Sequence, residues 1–265
     1  MTLVSASQPR PSIILCVPGM WSSRTELIEA IARSERGYLY AGQILMHAPT
    51  RQAFELEFHA HDPRMADAFR AAGPHWRDTP AMNAIGQHAS VVYLIGPGGF
   101  RGDAHALMLA AAALLDAGGL GVKVESSGVA HSPDDWRALC TDIHLFSAHR
   151  AYVLYITGPQ VYSCGMHNLG LRDAIIENAG TAAAVELLRV FTRYLVIESP
   201  TLLAGQTFST ENGAPVYRLH DDPGPDHGDN SLYTNPWGSW RLVPISMDRT
   251  TRWSGLRTAM RRLVS

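Results

Sequence analysis

Two short apolar runs constrain the fold of this chain more than any other feature. Ser12–Val17 and Ser90–Ile95 each consist of one serine followed by apolar and aromatic residues. A run of this length, bounded by turn residues, is typical of a buried β-strand. Pro18-Gly19 ends the first run, and the stretch Gly96–Gly99 ends the second. The sequence therefore predicts an α/β protein built around buried strands.

Helix-start signals follow these strands. Glu26 lies three residues after Ser23, which is the spacing of a capping box. Asp62-Pro63 combines an N-cap residue with a proline at the first helical position, and it predicts the start of a second helix. Asp103 can cap a third helix, which is rich in alanine and leucine. The first half of the chain is thus predicted to alternate strands and helices.

Two further predicted strands, Tyr38–His47 and Phe54–His61, separate the first two helices. The order from residue 12 to residue 95 is therefore strand, helix, strand, strand, helix, strand, which is the order of a ferredoxin-like βαββαβ unit. A strand at Leu120–Glu125 would extend the sheet of this unit. We expect the unit to occupy residues 1–145, with the domain boundary between residues 141 and 149.

Residues 146–265 are predicted to form a smaller α+β unit packed on the first. Tyr152–Thr157 and Val161–Cys164 flank a Gly-Pro turn and predict a hairpin, while Thr181–Ile197 has the apolar spacing of an amphipathic helix. Leu171–Ile176 fits either a strand or a helix. Three short strands are predicted after the long helix, at Gln206–Ser209, Val216–His220 and Ser239–Ile245.

Size, charge and cysteine content argue against several classes of protein. A chain of 265 residues can bury a core without disulfides or metals. Its net charge is −2 and it has no long basic stretch, so sequence-independent binding to nucleic acid is not expected. The cysteines Cys16, Cys140 and Cys164 are far apart, which argues against a disulfide framework or a zinc finger.

The sequence shows no pattern of a signal peptide or of a membrane span. Residues 1–11 are polar and lack the apolar core of a signal peptide. The longest apolar stretch, Ala104–Ala117, is shorter than a bilayer span and contains His105 and Asp116. We therefore expect a cytoplasmic protein that does not enter a membrane.

A strand face rich in carboxylates and imidazoles is one candidate site. Alternation along the predicted strand puts Glu55, Glu57, His59 and His61 on one face. Such side chains could bind a metal ion or move protons, as in a metal-dependent hydrolase. The same alternation also fits a strand face that simply meets water.

Cys164 and His167 form a second candidate site. A cysteine and a histidine three residues apart could be two metal ligands, or a nucleophile with its base. No second ligand pair lies nearby in the sequence. The simpler alternative is that Cys164 is a small buried apolar residue.

The glycine turns that follow the buried strands could hold a phosphate. The backbone amides at Pro18-Gly19 and at Gly96–Gly99 each precede a predicted helix, whose N-terminus favours an anion. This arrangement would suit a small-ligand sensor. Neither turn has the spacing of a nucleotide-binding loop, and glycine is also common in such turns for backbone reasons alone.

Serines also follow the strand Leu120–Glu125. Ser127 and His131 could pair, but a nucleophilic serine also needs a sharp elbow, an orienting acid and an oxyanion hole. We instead expect Ser132 to cap the next helix, with His131 beside it.

An acidic stretch lies close to the end of the chain. It contains Asp221, Asp222, Asp226 and Asp229, together with prolines and glycines that predict a mobile surface loop. The spacing differs from that of a calcium-binding loop. The loop could instead provide an acidic contact for a basic partner.

Aromatic residues follow the acidic stretch. Tyr233, Trp237, Trp240 and Trp253 gather there, and tryptophan is enriched in the hot spots of protein interfaces. We expect Trp240 to pack in the core. Tyr233 and Trp237 join the four aspartates as candidate partner-binding residues.

Several motifs of glycine, proline and tryptophan carry a resemblance that spans residues 13–245. They are Val17-Pro18-Gly19-x-Trp21, Tyr40-Ala41-Gly42, Leu94–Gly99, Val122–Ser126 with Gly128-x-Ala-His-Ser132, Gly165-Met166-x-x-Leu169-Gly170-Leu171-x-Asp173, and Asn235–Gly238 with Trp240-Arg241-Leu242. Together they resemble a bacterial domain-of-unknown-function family of two-part α/β proteins. The resemblance carries over no catalytic residues.

Members of this family are found near type VI secretion genes, so the resemblance implies an immunity protein that binds and blocks a toxin, such as a nuclease. We therefore expect a non-catalytic protein without a cofactor, whose partner is a cognate toxin. The alternatives are a metal-dependent hydrolase and a small-ligand sensor.

Overall fold

The computed structural model describes residues 10–141, 145–177 and 180–245. These residues form an α+β fold with two sheets, as the sequence predicts at the level of fold class. The α-helices are α1 (Arg24–Arg33), α2 (Met65–Ala72), α3 (Pro80–Ile85), α4 (Arg101–Asp116), α5 (Pro133–Thr141), α6 (Leu145–Tyr152) and α7 (Thr181–Glu198). Trp253 lies outside the described residues.

Strands β1 to β7 form the first sheet. They are β1 (Ser12–Gly19), β2 (Tyr38–Ala41), β3 (Ile44–His47), β4 (Ala53–Ala60), β5 (Ser90–Pro97), β6 (Val122–Val124) and β7 (Val129–His131). Their order in the sheet is β2-β3-β4-β5-β1-β6-β7, and all neighbouring strands are antiparallel. The predicted strand Tyr38–His47 is a hairpin, because Gly42 turns the chain at a φ of 58°.

The ferredoxin-like arrangement is not confirmed. A ferredoxin-like sheet would place the first strand between the third and the fourth strands of the unit. Here β5, the fourth strand of the predicted unit, lies between β4, the third, and β1, the first. The first strand therefore lies outside the two strands that should flank it. The order of elements along the chain is close to the prediction, whereas the order of strands in the sheet is not.

Strands β8 to β13 form the second sheet. They are β8 (Leu154–Thr157), β9 (Gln160–Cys164), β10 (Asp173–Glu177), β11 (Thr207–Phe208), β12 (Tyr217–Asp222) and β13 (Ser239–Pro244). Their order is β11-β12-β13-β10-β9-β8, and the pair β10–β13 is parallel. The segment that fitted either a strand or a helix is therefore a strand, beginning at Asp173.

Of the three helix starts predicted in the first half of the chain, one follows its capping signal. The Ser23 side chain accepts a hydrogen bond from Glu26 N, and the Glu26 carboxylate accepts one from Ser22 N at 2.7 Å. The prediction for Asp62-Pro63 is wrong in position, because α2 begins at Met65 after Arg64, and the bond that Asp62 accepts from Arg64 N lies before the helix. The prediction for Asp103 is wrong, because α4 begins at Arg101 and Asp103 lies in its first turn.

One continuous apolar core joins the two sheets. Helix α4 lies in its centre, and most of its residues are buried. Trp136 from α5 donates a hydrogen bond to Met108 O at 3.1 Å, and Tyr152 from α6 donates one to Ala104 O at 2.7 Å. The domain boundary was predicted at residues 141–149. This range includes the end of α5 and part of α6, and both helices pack on the shared core.

The outer face of the first sheet carries a second apolar cluster. Helices α2 and α3 cover this face with Met65, Phe69, Met82 and Ile85, which pack on strand residues such as Cys16. None of these five side chains is more than 4% exposed. The two helices therefore close the first sheet by apolar burial, a non-directional form of stabilisation.

Helix α7 covers the inner face of the second sheet. Its buried side chains include Leu188, Phe191 and Leu195, and they join Trp240 from β13 in the shared core. Trp240 is 6% exposed, which confirms its predicted core position. No helix among the described residues is long and apolar enough to cross a bilayer.

Candidate functional site

Residues 223–238, which we call the covering segment, lie against the outer face of the second sheet. The ring of His227 is 6.1 Å from that of Tyr162 on β9, and the ring of Tyr233 is 5.6 Å from that of His227. The Tyr233 hydroxyl would be 3.2 Å from a Cβ placed on Gly128, in the turn between β6 and β7. The covering segment therefore contacts both sheets through His227 and Tyr233, while most of its other residues are exposed, as predicted for a surface loop.

Asn235 anchors the covering segment to the sheet. Its Nδ2 donates hydrogen bonds to Asp173 Oδ2 at 2.7 Å and to Leu171 O at 2.9 Å. Its Oδ1 accepts a hydrogen bond from Trp237 N at 3.0 Å. One buried side chain thus fixes the backbone next to Trp237.

Asp173 is the acceptor at the centre of this anchor. Besides Asn235, Ser163 Oγ donates to its Oδ1 at 2.8 Å and Met166 N does so at 3.3 Å. Asp173 is 3% exposed. A buried carboxylate is costly unless its oxygens are hydrogen-bonded, so these donors stabilise the position of Asp173 and through it the position of Asn235.

Arg172 is a second fixed side chain, and it lies next to the covering segment. Its two amino groups donate to Asp221 Oδ1 and to Ser239 O, both at 2.6 Å. The guanidinium group also lies 3.8 Å from the ring centroid of Trp240, a cation–π geometry. Arg172 is therefore fixed by three contacts.

A shallow groove lies between Arg172 and the covering segment. It has a volume of about 440 Å³, and we call it the tryptophan groove. Its lining includes Arg172, Asp221, Pro223, Pro236 and Trp237. The groove combines an aromatic ring, two prolines and a fixed ion pair at the surface.

Phe100 adds apolar surface beside the tryptophan groove. Gly99 has a φ of +79°, and a Cβ placed on it would lie 3.0 Å from the ring of Trp237. The indole thus packs directly on the Gly99 backbone, and the next residue, Phe100, is 61% exposed. Phe100 is thus an exposed aromatic residue one position along the chain from the glycine that contacts Trp237.

The four aspartates differ in their surroundings. Asp221 pairs with Arg172, and Asp222 Oδ2 accepts a hydrogen bond from Arg241 Nε at 2.6 Å. Asp226 accepts a hydrogen bond from Gly228 N at 2.8 Å and is exposed, as is Asp229. Arginines thus neutralise two of the aspartates, so the patch is less acidic than the sequence indicated.

Cys164 and His167 do not form a nucleophile and base. Cys164 is 2% exposed, and burial raises the pKa of its thiol, with Asp173 adding to the effect. The polar contact of its Sγ is with Ser126 O, at 3.9 Å. Neither ring nitrogen of His167 has a hydrogen-bond partner among the described residues. A buried thiol in its neutral form fits the simpler alternative.

The histidines after Phe58 also lie apart. His59 is exposed and pairs with Glu57 at 3.0 Å, while His61 lies beyond the end of β4 and places its Nδ1 2.9 Å from His88 O. Glu55 is exposed as well. Within the described ranges, no three histidine, cysteine or acidic side chains are grouped so as to hold a metal ion.

The second glycine turn uses its amides within the protein. Gly98 N donates to Pro11 O at 2.7 Å and Gly99 N donates to Asn168 O at 3.2 Å. These two amides therefore do not point to a phosphate. The turn instead brings Gly99 under Trp237.

The serine region serves helix capping and packing. Ser132 Oγ accepts a hydrogen bond from Asp135 N at 3.2 Å, as expected for a cap of α5. His131 Nε2 lies 3.0 Å from Ala151 O, and burial lowers the pKa of His131 to about 4. Ser127 Oγ has no hydrogen-bond partner among the described residues, so the pair of Ser127 and His131 is not formed.

Sequence reasoning assigned no role to Asp173, Asn235 and Arg172. A signal was present for Asp173, because an ionisable residue directly before the apolar residues Ala174–Ile176 is unusual in a buried strand. Asn235 lies in the covering segment directly before a proline, which indicates only a turn. The contact between them depends on a strand pairing that no local pattern reveals.

The comparisons with known proteins do not place this chain in a family. No family model matches it, and no curated protein or solved structure was found that matches it.

Proposed function

We propose that the protein binds a partner protein through the tryptophan groove and Phe100, and that it acts as an immunity protein. In this role it occludes and neutralises a type VI secretion toxin in the cytoplasm. The observation that carries the proposal is the position of Trp237, whose backbone is held by the Asn235–Asp173 anchor and which lines the tryptophan groove together with the fixed guanidinium of Arg172.

The residue types in the groove support protein binding. Tryptophan and arginine are enriched among residues that dominate binding energy. Because Arg172 and the backbone at Trp237 already have defined positions, a partner would not lose free energy by ordering them. Preorganised side chains of this kind favour tight binding over a wide surface.

The charges beside the groove support a basic partner. Asp221 lines the groove beside Arg172, and Asp226 and Asp229 are exposed on the covering segment. Acidic groups at the rim of an interface raise the association rate with a basic protein. A nuclease toxin, whose nucleic-acid site must be basic, is a partner of this kind.

The arrangement of the other candidate sites favours binding over catalysis. Cys164 is buried as a neutral thiol, and His59 and His61 do not converge. The resemblance to a family found near type VI secretion genes supports the toxin as the partner.

A direct test is co-purification with the product of the neighbouring gene. The two proteins are co-expressed, and binding is then measured by calorimetry with purified components. We expect a stoichiometric complex that suppresses the toxicity of the neighbour. Trp237→Ala should weaken the complex by about 30-fold or more, the usual effect of removing a tryptophan hot spot.

Leu39→Ala is the matched control. Leu39 is 53% exposed on the first sheet, away from the groove, so this variant should bind like the unaltered protein. Thermal unfolding of both variants checks that they fold. A neighbour that forms no complex, or a complex that Trp237→Ala leaves unchanged, would overturn the proposal.

A further inference from the structure

We propose that a recess between α4, α5 and the β2–β3 hairpin binds a small amphipathic carboxylate. The recess has a volume of about 570 Å³. Pockets for small ligands have volumes of about 300–1,000 Å³, so its size suits such a ligand. It shares no lining residue with the tryptophan groove, and the inference does not depend on the proposed function.

The floor of the recess is apolar. Helix α4 presents Ala106, Ala112 and Ala113 there, and Leu109 is 41% exposed at its edge. The recess is deep at this point because alanines stand where longer side chains would fill the space between α4 and the hairpin. Removing this apolar surface from water would stabilise a bound hydrocarbon chain.

The rim of the recess is cationic. The described lining residues include Arg36 and Arg137 and no acidic side chain. Asp116 lies behind these arginines, 2.6 Å from Arg36 Nη2 and 2.9 Å from Arg137 Nε. Arg137 also contacts Asp134, at 3.4 Å, so Asp116 and Asp134 together balance its charge, whereas Arg36 has Asp116 as its one carboxylate among the described residues.

Arg36 is the residue that would hold the ligand. Arg137 also donates to Leu115 O and to Asp134, so its donors are largely occupied within the protein. The side chain of Arg36 is 59% exposed, and its ion pair with Asp116 uses one of its amino groups. An arginine with free donors is suited to bind a carboxylate by paired hydrogen bonds.

The opposite wall supplies further polar atoms. His47 Nδ1 lies 2.8 Å from Thr50 Oγ1, and Gln52 lines the recess beside them. Cys140 also lines it, and burial raises the pKa of this thiol to about 12, so the thiol is neutral at physiological pH. The chemistry of the walls therefore matches a molecule with one anionic head and an apolar body.

Calorimetry of the full-length protein with octanoate tests this inference. We expect saturable 1:1 binding of octanoate, and binding at least about tenfold weaker for octan-1-ol and for inorganic phosphate, because each lacks one of the two matching parts. If octanol bound as tightly as octanoate, the ligand would not need an anionic head. If phosphate bound as tightly, it would not need an apolar body. Either result would overturn the proposed ligand. Absence of saturable octanoate binding would overturn the site.

Substitutions identify the recess as the place of binding. Arg36→Gln should weaken octanoate binding about tenfold, since a charge-assisted pair is lost. Arg33→Gln, at an exposed position of α1 nearby in the chain, is the matched control and should have no effect. Octanoate should also slow the reaction of Cys140 with N-ethylmaleimide severalfold. An Arg36→Gln variant that binds normally, or unchanged labelling of Cys140, would contradict the assignment.

Discussion

The outer faces of the two sheets are closed in different ways. On the first sheet, helices α2 and α3 bury Met65, Phe69 and Met82 in an apolar cluster. On the second sheet, hydrogen bonds hold the irregular covering segment in place, and the central one runs from Asn235 to Asp173. Apolar packing tolerates small shifts of its members, whereas a buried polar network works only in one geometry. The first arrangement suits stability, and the second holds surface side chains in fixed positions.

The largest loss of stability is expected from truncating one side chain in the apolar cluster of the first sheet. Phe69 is fully buried, and Phe69→Ala should lower the free energy of unfolding by about 4 kcal/mol, because the deletion leaves a cavity. Urea denaturation measures this change. The folded variant should still bind the partner normally, since the cluster lies on the first sheet. A large loss of affinity in the folded variant would remove the distinction between the two faces.

A smaller loss of stability, with a loss of binding, is expected at the anchor. Asp173→Asn keeps the shape of the side chain but places an amide group where hydrogen-bond donors now converge. We expect the free energy of unfolding to fall by about 2 kcal/mol and partner affinity to fall about tenfold. Asp226→Asn, at an exposed position, is the control for stability. A stable Asp173→Asn variant with full affinity would show that the anchor does not position Trp237.

Lowering the pH should reduce the free energy of unfolding, because two histidines are buried in the fold. Burial lowers the pKa of His131 and of His149 from 6.5 to about 4. The unfolded chain therefore takes up protons first, and stability is lost as pH falls from about 6.5 towards 4. Each histidine should contribute about 2 kcal/mol of this loss between pH 7 and pH 5.

Denaturation at the two pH values tests the histidine prediction. His149→Gln should show a shallower dependence on pH than the unaltered protein, because it removes one of the two groups. His59→Gln is the control, since His59 is exposed. An equal pH dependence in all three proteins would show that other groups cause the loss.

The smallest effect is expected from the free aspartates of the covering segment. Asp226→Asn with Asp229→Asn should slow association with the partner by a few-fold at low salt and change stability by less than about 0.5 kcal/mol, because rim charges act on the approach of a partner. Stopped-flow kinetics at two salt concentrations measures this effect. An association rate that does not change at low salt would remove these aspartates from the interface.

Local signals predicted the elements well and the arrangement of those elements poorly. The runs at β1 and β5 and the capping box of α1 were predicted because neighbouring residues determine them. The pairing of β5 with β4, which takes the place that the ferredoxin-like order gives to β1, joins strands that are distant in the chain. The same holds for the site: Trp237 was recognised from its residue type, whereas the bond from Asn235 to Asp173 joins residues far apart in sequence.

Amide hydrogen exchange, measured on the full-length protein with and without its partner, tests the central claim most directly. We expect the amides of Trp237 and Gly238 to be protected in the free protein, because both donate hydrogen bonds to Asn235. In the complex we expect further protection there and around Phe100. Rapid exchange throughout the covering segment in the free protein, or protection by the partner confined to the first sheet, would contradict the account.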